Sequence, residues 1–110
     1  NMAVVLLNDV AATGAGGGWQ CGGGIESHTV QATITGAPTA VTVDLEGSVD
    51  GSTWVALDTH AFSAGELTAT KAMWHIVNKV VKHVRANLTT LTGGTSPTVT
   101  AKWEGNKGVA

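Results

Sequence analysis

From Thr29 to Thr35, within the alternating run Ser27 to Thr35, every second residue is apolar. Val30, Ala32 and Ile34 fall on one side, and Thr29, Gln31, Thr33 and Thr35 on the other. A period of two is the signature of a strand with one face buried, because successive side chains point to opposite sides of the backbone. The pattern returns at Val41, Val43 and Leu45, set against Thr42, Asp44 and Glu46, and again at Val99, Ala101 and Trp103. No stretch keeps a helical i, i+3, i+4, i+7 apolar pattern for three turns. Val80 to Leu88 also reads as a strand, with Val80, Lys82, Val84, Ala86 and Leu88 on one side and Val81, His83, Arg85 and Asn87 on the other. A helix there would lack caps and would run into Asn87, Thr89 and Thr90.

Turn chemistry separates these runs. Gly36-Ala37-Pro38-Thr39 and Thr92-Gly93-Gly94-Thr95-Ser96-Pro97 both carry the residues that reverse a chain. Asp50-Gly51 sits inside Glu46 to Trp54 and predicts a tight hairpin, since such turns need the positive φ that Gly supplies. Its return strand is expected over Thr53 to Asp58, with Val55 and Leu57 in the core and Trp54 partly covered by a sheet edge or a subunit. Val4 to Leu7, Glu66 to Thr70 and Met73 to Val77 read as further short strands, with Phe62 to Glu66 as a loop. Seven to eight strands with turns about every ten residues predict an all-β fold: an antiparallel β-sandwich or jelly roll of about eight strands.

With 110 residues the chain has room for one such body, expected over residues 26–110. Residues 1–25 are expected as an N-terminal strand and an arm. Between Gly14 and Gly24, seven of eleven residues are glycine. Ordering that composition costs more backbone entropy than ordering any other. An arm that is mobile, or that orders against another subunit, is the expectation for residues 12–24.

Several kinds of chemistry are excluded by what the chain lacks. Lys and Arg number 6 against 8 Asp and Glu, with no run of like charge, so a phosphate-binding face is missing and no nucleic-acid partner is expected. Met2 to Leu7 is too short and too uncharged at its start for a signal peptide or a membrane span, so no membrane partner is expected, and Met2 reads as the native start. The one cysteine, Cys21, can form neither an internal disulfide nor a CxxC site, and no base is in sight to activate it. His28, His60, His75 and His83 are at least eight positions apart, unlike zinc ligands, and read as outward-facing strand residues. His75 opposite His83 on neighbouring strands is the one pairing that would bring two together. Asp44 and Glu46 share a strand face and read as solvated rather than as a glycosidase pair. Asp50 and Asp58 lack the loop that binds calcium, and the glycine segment lacks the Gly-Lys-Ser/Thr of a phosphate cradle. No catalytic residue, cofactor or metal is expected.

Trp19, Trp54, Trp74 and Trp103 are four large apolar groups in a chain with one Phe and no Tyr. Core packing is the ordinary use of such residues; anchoring an interface is the other, for which Trp is enriched. The candidates for an interface are Trp19, Gln20, Cys21, Trp54 and Trp74. Trp19 leads, because a residue in an arm is not core unless the arm docks.

Val43 to Leu57, containing Glu46-Gly47-Ser48-Val49-Asp50-Gly51-Ser52-Thr53-Trp54, resembles a pattern of small bacteriophage structural proteins. So do the later Lys82 to Thr89 and the turn Gly93-Gly94-Thr95-Ser96-Pro97-Thr98. The resemblance spans roughly residues 30–105. It implies a virion protein made in the host cytoplasm: a capsid decoration (cement) protein bound to the major capsid protein, or a tail or neck component. A homotrimer over a three-fold axis would suit such a part. The Ser-x-Asp-Gly-x-x-Trp element is also similar to discoidin-type carbohydrate-binding jelly rolls, although their flanking cysteines are missing here.

Overall fold

The computed structural model describes residues 3–107. The strands are β1 (Val4–Val10), β2 (Gly14–Ala15), β3 (Trp19–Ile25), β4 (Ser27–Thr35), β5 (Ala40–Ser48), β6 (Val55–Ala61), β7 (Lys71–Ile76), β8 (Val81–Thr92) and β9 (Thr98–Asn106), with one short helix α1 (Ala64–Ala69) between β6 and β7. One sheet has the order β1-β9-β4-β7. The other has the order β2-β8-β5-β6, with β3 on the same edge of β8 as β2. Every pairing is antiparallel.

Taking β2 and β3 as one interrupted edge, the contacts nest. β1 pairs with β9, β2/β3 flank β8, β4 pairs with β7, and β5 pairs with β6. A long hairpin rolled so that its successive pairs fall in alternate sheets gives this nesting, which is that of a jelly roll.

The alternations read from the sequence set the core. Val30, Ala32 and Ile34 of β4, Val41, Val43 and Leu45 of β5, Val84, Ala86 and Leu88 of β8, and Val99, Ala101 and Trp103 of β9 are all buried between the sheets. Burying each of the larger side chains contributes about 1.5–3 kcal/mol. Gly105 serves this packing: a Cβ there would stand 2.3 Å from the Trp103 ring, so the indole lies where a side chain would.

Five expectations are corrected. First, the segment expected as a strand from Glu66 is α1, because Ser63 and Glu66 form a capping box. The Ser63 hydroxyl accepts from Glu66 N–H, and Glu66 Oε1 accepts from Ser63 N–H. Second, Val55 is 63% exposed, and Leu57 alone of the expected pair packs on the core. The register shift between Leu45 and Glu46 turns Val55 away. Third, Val80 is exposed while Val81 is buried, so the inward set steps from Val81 to Val84. The pairing with β3 is irregular over that step.

Fourth, the glycine-rich segment is docked on its own chain. Gly14 and Ala15 pair with Leu88 and Asn87, Trp19 and Gln20 with Val84 and His83, and Ile25 with Val81. It forms a sheet edge rather than a free arm, and the ladder with β8 supplies the partners that offset its ordering entropy. Fifth, the Asp50-Gly51 turn is a loop between β5 and β6, not a two-residue hairpin. Asp50 Oδ1 accepts from Ser52 N, Thr53 N and Ser48 Oγ, while Ser48 Oγ accepts from Gly51 N. Gly51 does adopt the expected positive φ, of 79°.

Candidate interaction surface

Asp44, Glu46, Arg85 and Asn87 alternate with core residues on β5 and β8 and therefore point away from the core, onto the outer face of the five-stranded sheet. Glu46 stands opposite Arg85 in the register. Arg85 Nε donates to Glu46 Oε1, and Asn87 Nδ2 donates to Glu46 Oε2 at 3.1 Å. The guanidinium lies 4.6 Å from the centroid of the Trp54 ring. His83 meets the same indole edge-on, with centroids 6.3 Å apart. A Cβ on Gly18 would touch that indole at 3.0 Å, so Trp54 also lies over the backbone of the β2–β3 segment.

The result is a chain of contacts in which the Glu46 carboxylate binds the Arg85 guanidinium and the guanidinium lies over the Trp54 indole. A partly exposed ion pair contributes about 0–1 kcal/mol, and a cation–π contact about 0.5–1 kcal/mol. Their main effect is to hold Trp54 flat against the sheet.

At this end of the five-stranded sheet several apolar side chains are exposed to water, with Trp19 on the edge strand opposite Val84. Gly47 pairs with Val55, Ser48 with His83, and Gln20 with His83, which brings the end of β5 and the starts of β6 and β8 beside β3. Trp19 is 47% exposed there, with Val49 at 70% and Val80 at 63%. Exposed apolar groups gathered at one end of a small domain mark an association surface.

The five candidates from the sequence separate. Trp19, Gln20 and Trp54 lie at this end of the sheet. Cys21 is half-buried against the core, and burial pushes its thiol up to about 11, so no thiolate forms at neutral pH. Trp74 is core. It is 7% exposed and stacks on His60, with centroids 4.2 Å apart and planes within 7°. His60 in turn bonds Glu66 of α1 at 2.9 Å, closing the side of the sandwich between β6 and β7. The Ser63 N–H, followed by His60, holds the Glu66 carboxyl below its usual range.

His75 and His83 do not meet, because β7 and β8 belong to different sheets. His28 is not outward-facing; it is 2% exposed. The signal was present, since His28 stands two residues before Val30 in the same alternation. Among the described residues no group of three or more His, Cys, Asp or Glu is placed to hold a metal ion, and no helix is long and apolar enough to cross a membrane.

No protein family and no curated protein matches the chain in sequence. Solved structures do match in fold. The SPBc2 prophage-derived protein YomS aligns over 93% of this chain and 88% of its own, with a TM-score of 0.58 and 15% identity. The C-terminal domain of a chitobiase from Bacteroides fragilis aligns over 76% of this chain and 57% of its own, with a TM-score of 0.53 and 11% identity. At such identities the likeness is one of fold. It extends along nearly the whole chain in the first case.

Proposed function

We propose that this chain is a non-enzymatic structural protein of a bacteriophage particle, and that it decorates the capsid as a homotrimer. The observation that carries the reading is the jelly roll shared with a prophage-derived protein over 93% of the chain. The sequence resemblance of Val43–Leu57, Lys82–Thr89 and Gly93–Thr98 to small phage structural proteins supports it independently. The exposed end of the five-stranded sheet, with Trp19, Val49, Val55 and Val80, supports association between copies or with the major capsid protein. Low net charge, −2, offers little repulsion to oppose that association.

The test is immunogold labelling of phage particles induced from the host that carries the gene. Label spread over the head is the expected result. Label confined to the tail or neck would move the protein to the other virion role, and unlabelled particles would end the virion reading. Multi-angle light scattering of the purified protein is expected to give three chains per particle.

A further inference from the structure

The opposite outer surface, that of the four-stranded sheet, bears a feature that capsid attachment at the five-stranded end does not use. A concavity of about 640 Å³ opens there. Ligand sites generally measure about 300–1,000 Å³. Strand register sets the side chains on its floor in rows. Lys102 of β9, Gln31 of β4 and Met73 of β7 stand side by side, and beside them Glu104, Thr29 and His75 form a second row. Three strands spaced about 4.8 Å apart make the floor about 10 Å wide between the outer backbones.

The chemistry of those six side chains is specific in kind. Among the described residues, the side chains of Gln31, Lys102 and Glu104 make no hydrogen bond or ion pair. His75 uses only Nδ1, to Thr29 Oγ1 at 2.9 Å, and leaves Nε2 open. The floor thus offers a donor-only group in Lys102, an acceptor-only group in Glu104, and an amide that does both in Gln31. Lys102 and Glu104 cancel in charge. Met73, 54% exposed, adds an apolar surface beside them. An anionic ligand would find no excess of positive charge, and Val77, 60% exposed at the rim, extends the apolar surface beside Met73. A polyhydroxylated ring, whose hydroxyls donate and accept while its C–H groups pack on apolar atoms, matches all of these features.

We infer that the concavity on the outer face of the four-stranded sheet is a binding site for a neutral oligosaccharide. Gln31, His75 and Glu104 hydrogen-bond its hydroxyls, and Met73 packs against the ring. The site goes beyond the proposed virion role. It gives the exposed side of an attached subunit an affinity for glycan.

The experiment screens the purified chain on an array of neutral and anionic oligosaccharides, then titrates the strongest neutral binder by NMR against the wild type and Gln31→Ala/His75→Ala. Both residues are exposed on regular strands, and a dispersed amide spectrum confirms that the variant folds. Expected is binding of a neutral glycan, shifts at Gln31, Met73 and His75, and at least a tenfold loss in the double variant. Trp54→Ala, on the other sheet, is expected to keep the affinity. Binding of anionic glycans only, no binding at millimolar concentration, or affinity unchanged in the double variant would overturn the assignment. None of those results bears on the immunogold outcome, so the two readings fail separately.

Discussion

The indole Nε1–H of Trp103 donates to Nδ1 of His28 at 3.0 Å, and both rings are buried. Because Trp only donates, Nδ1 must be the acceptor, and the proton sits on Nε2, which donates to the Lys79 carbonyl at 2.8 Å. One tautomer therefore ties β9, β4 and the β7–β8 connection together. Trp103→Phe keeps most of the ring volume and leaves Nδ1 buried without a donor. A loss of about 1–3 kcal/mol is expected from that unsatisfied group together with the lost ring atoms. Urea denaturation with an unchanged m-value checks it.

The same pair predicts a pH dependence. Burial holds the His28 imidazole below its ordinary 6.5, with the Lys79 carbonyl offsetting part of that effect. The unfolded chain takes up a proton as pH falls through about 6.5, and the folded chain resists until lower pH. This contribution to stability is complete above 6.5 and is lost progressively below it. The denaturation midpoint is expected to fall between pH 7.5 and 5. His28→Leu, although less stable throughout, should show a smaller fall over that interval.

At the β5–β6 loop, Gly51→Val is expected to destabilise by about 1–2 kcal/mol. A β-branched residue resists a φ of 79°, and its Cβ would approach the His83 ring to 3.2 Å. Thermal melting that matches the wild type would contradict this account. The neighbouring Asp50 is held down to about 2, first by the Thr53 N–H, then by the Ser52 N–H and the Ser48 hydroxyl. The order it gives the loop is present above about pH 4 and lost as pH falls toward 2. Asp50→Asn should raise amide exchange at Ser52 and Thr53.

For α1, Ser63→Ala removes the N-cap and should cost about 1 kcal/mol. Circular dichroism sees little of six residues, so the readout is the denaturation midpoint together with amide exchange at Glu66 and Leu67.

For self-association, Val55→Glu places a charge on an exposed position at the end of the five-stranded sheet. Light scattering is expected to show the proposed trimer dissociating at micromolar concentration. The melting temperature extrapolated to infinite dilution should move little. A trimer that persists in Val55→Glu and in Trp19→Ala would show that this end is not the contact.

The core was readable because alternation maps directly onto burial: Val30, Ala32 and Ile34, or Val41, Val43 and Leu45, have one possible inward side once the strand exists. Reading failed where a single residue changed the count. The register shift beside Glu46 exposed Val55, and the irregular pairing opposite Val81 to Val84 exposed Val80. The helix at Ala64 was hidden in a short stretch, although Ser63-Ala64-Gly65-Glu66 carries the capping box in plain letters. The docking of Trp19 on β8 was not visible, because glycine composition reports the cost of ordering and not the ladder that meets it. Trp54 was placed near a sheet edge, but its partner Arg85 lies 31 positions away in a different strand, and no spacing rule joins them.

Val4 lies opposite Trp103 on neighbouring strands. The chain therefore enters and leaves the sandwich at one corner, as a consequence of the nested pairing. A short linker from residue 3 to residue 107 would close the backbone into a ring, and reopening it within residues 49–54 would cut no strand. Such a circular permutant should fold to the same sandwich, with its new ends at the same end of the strands but on the five-stranded sheet. In the natural order, residues 3 and 107 leave the described sandwich at the same corner, so two cargoes joined beyond them would start side by side.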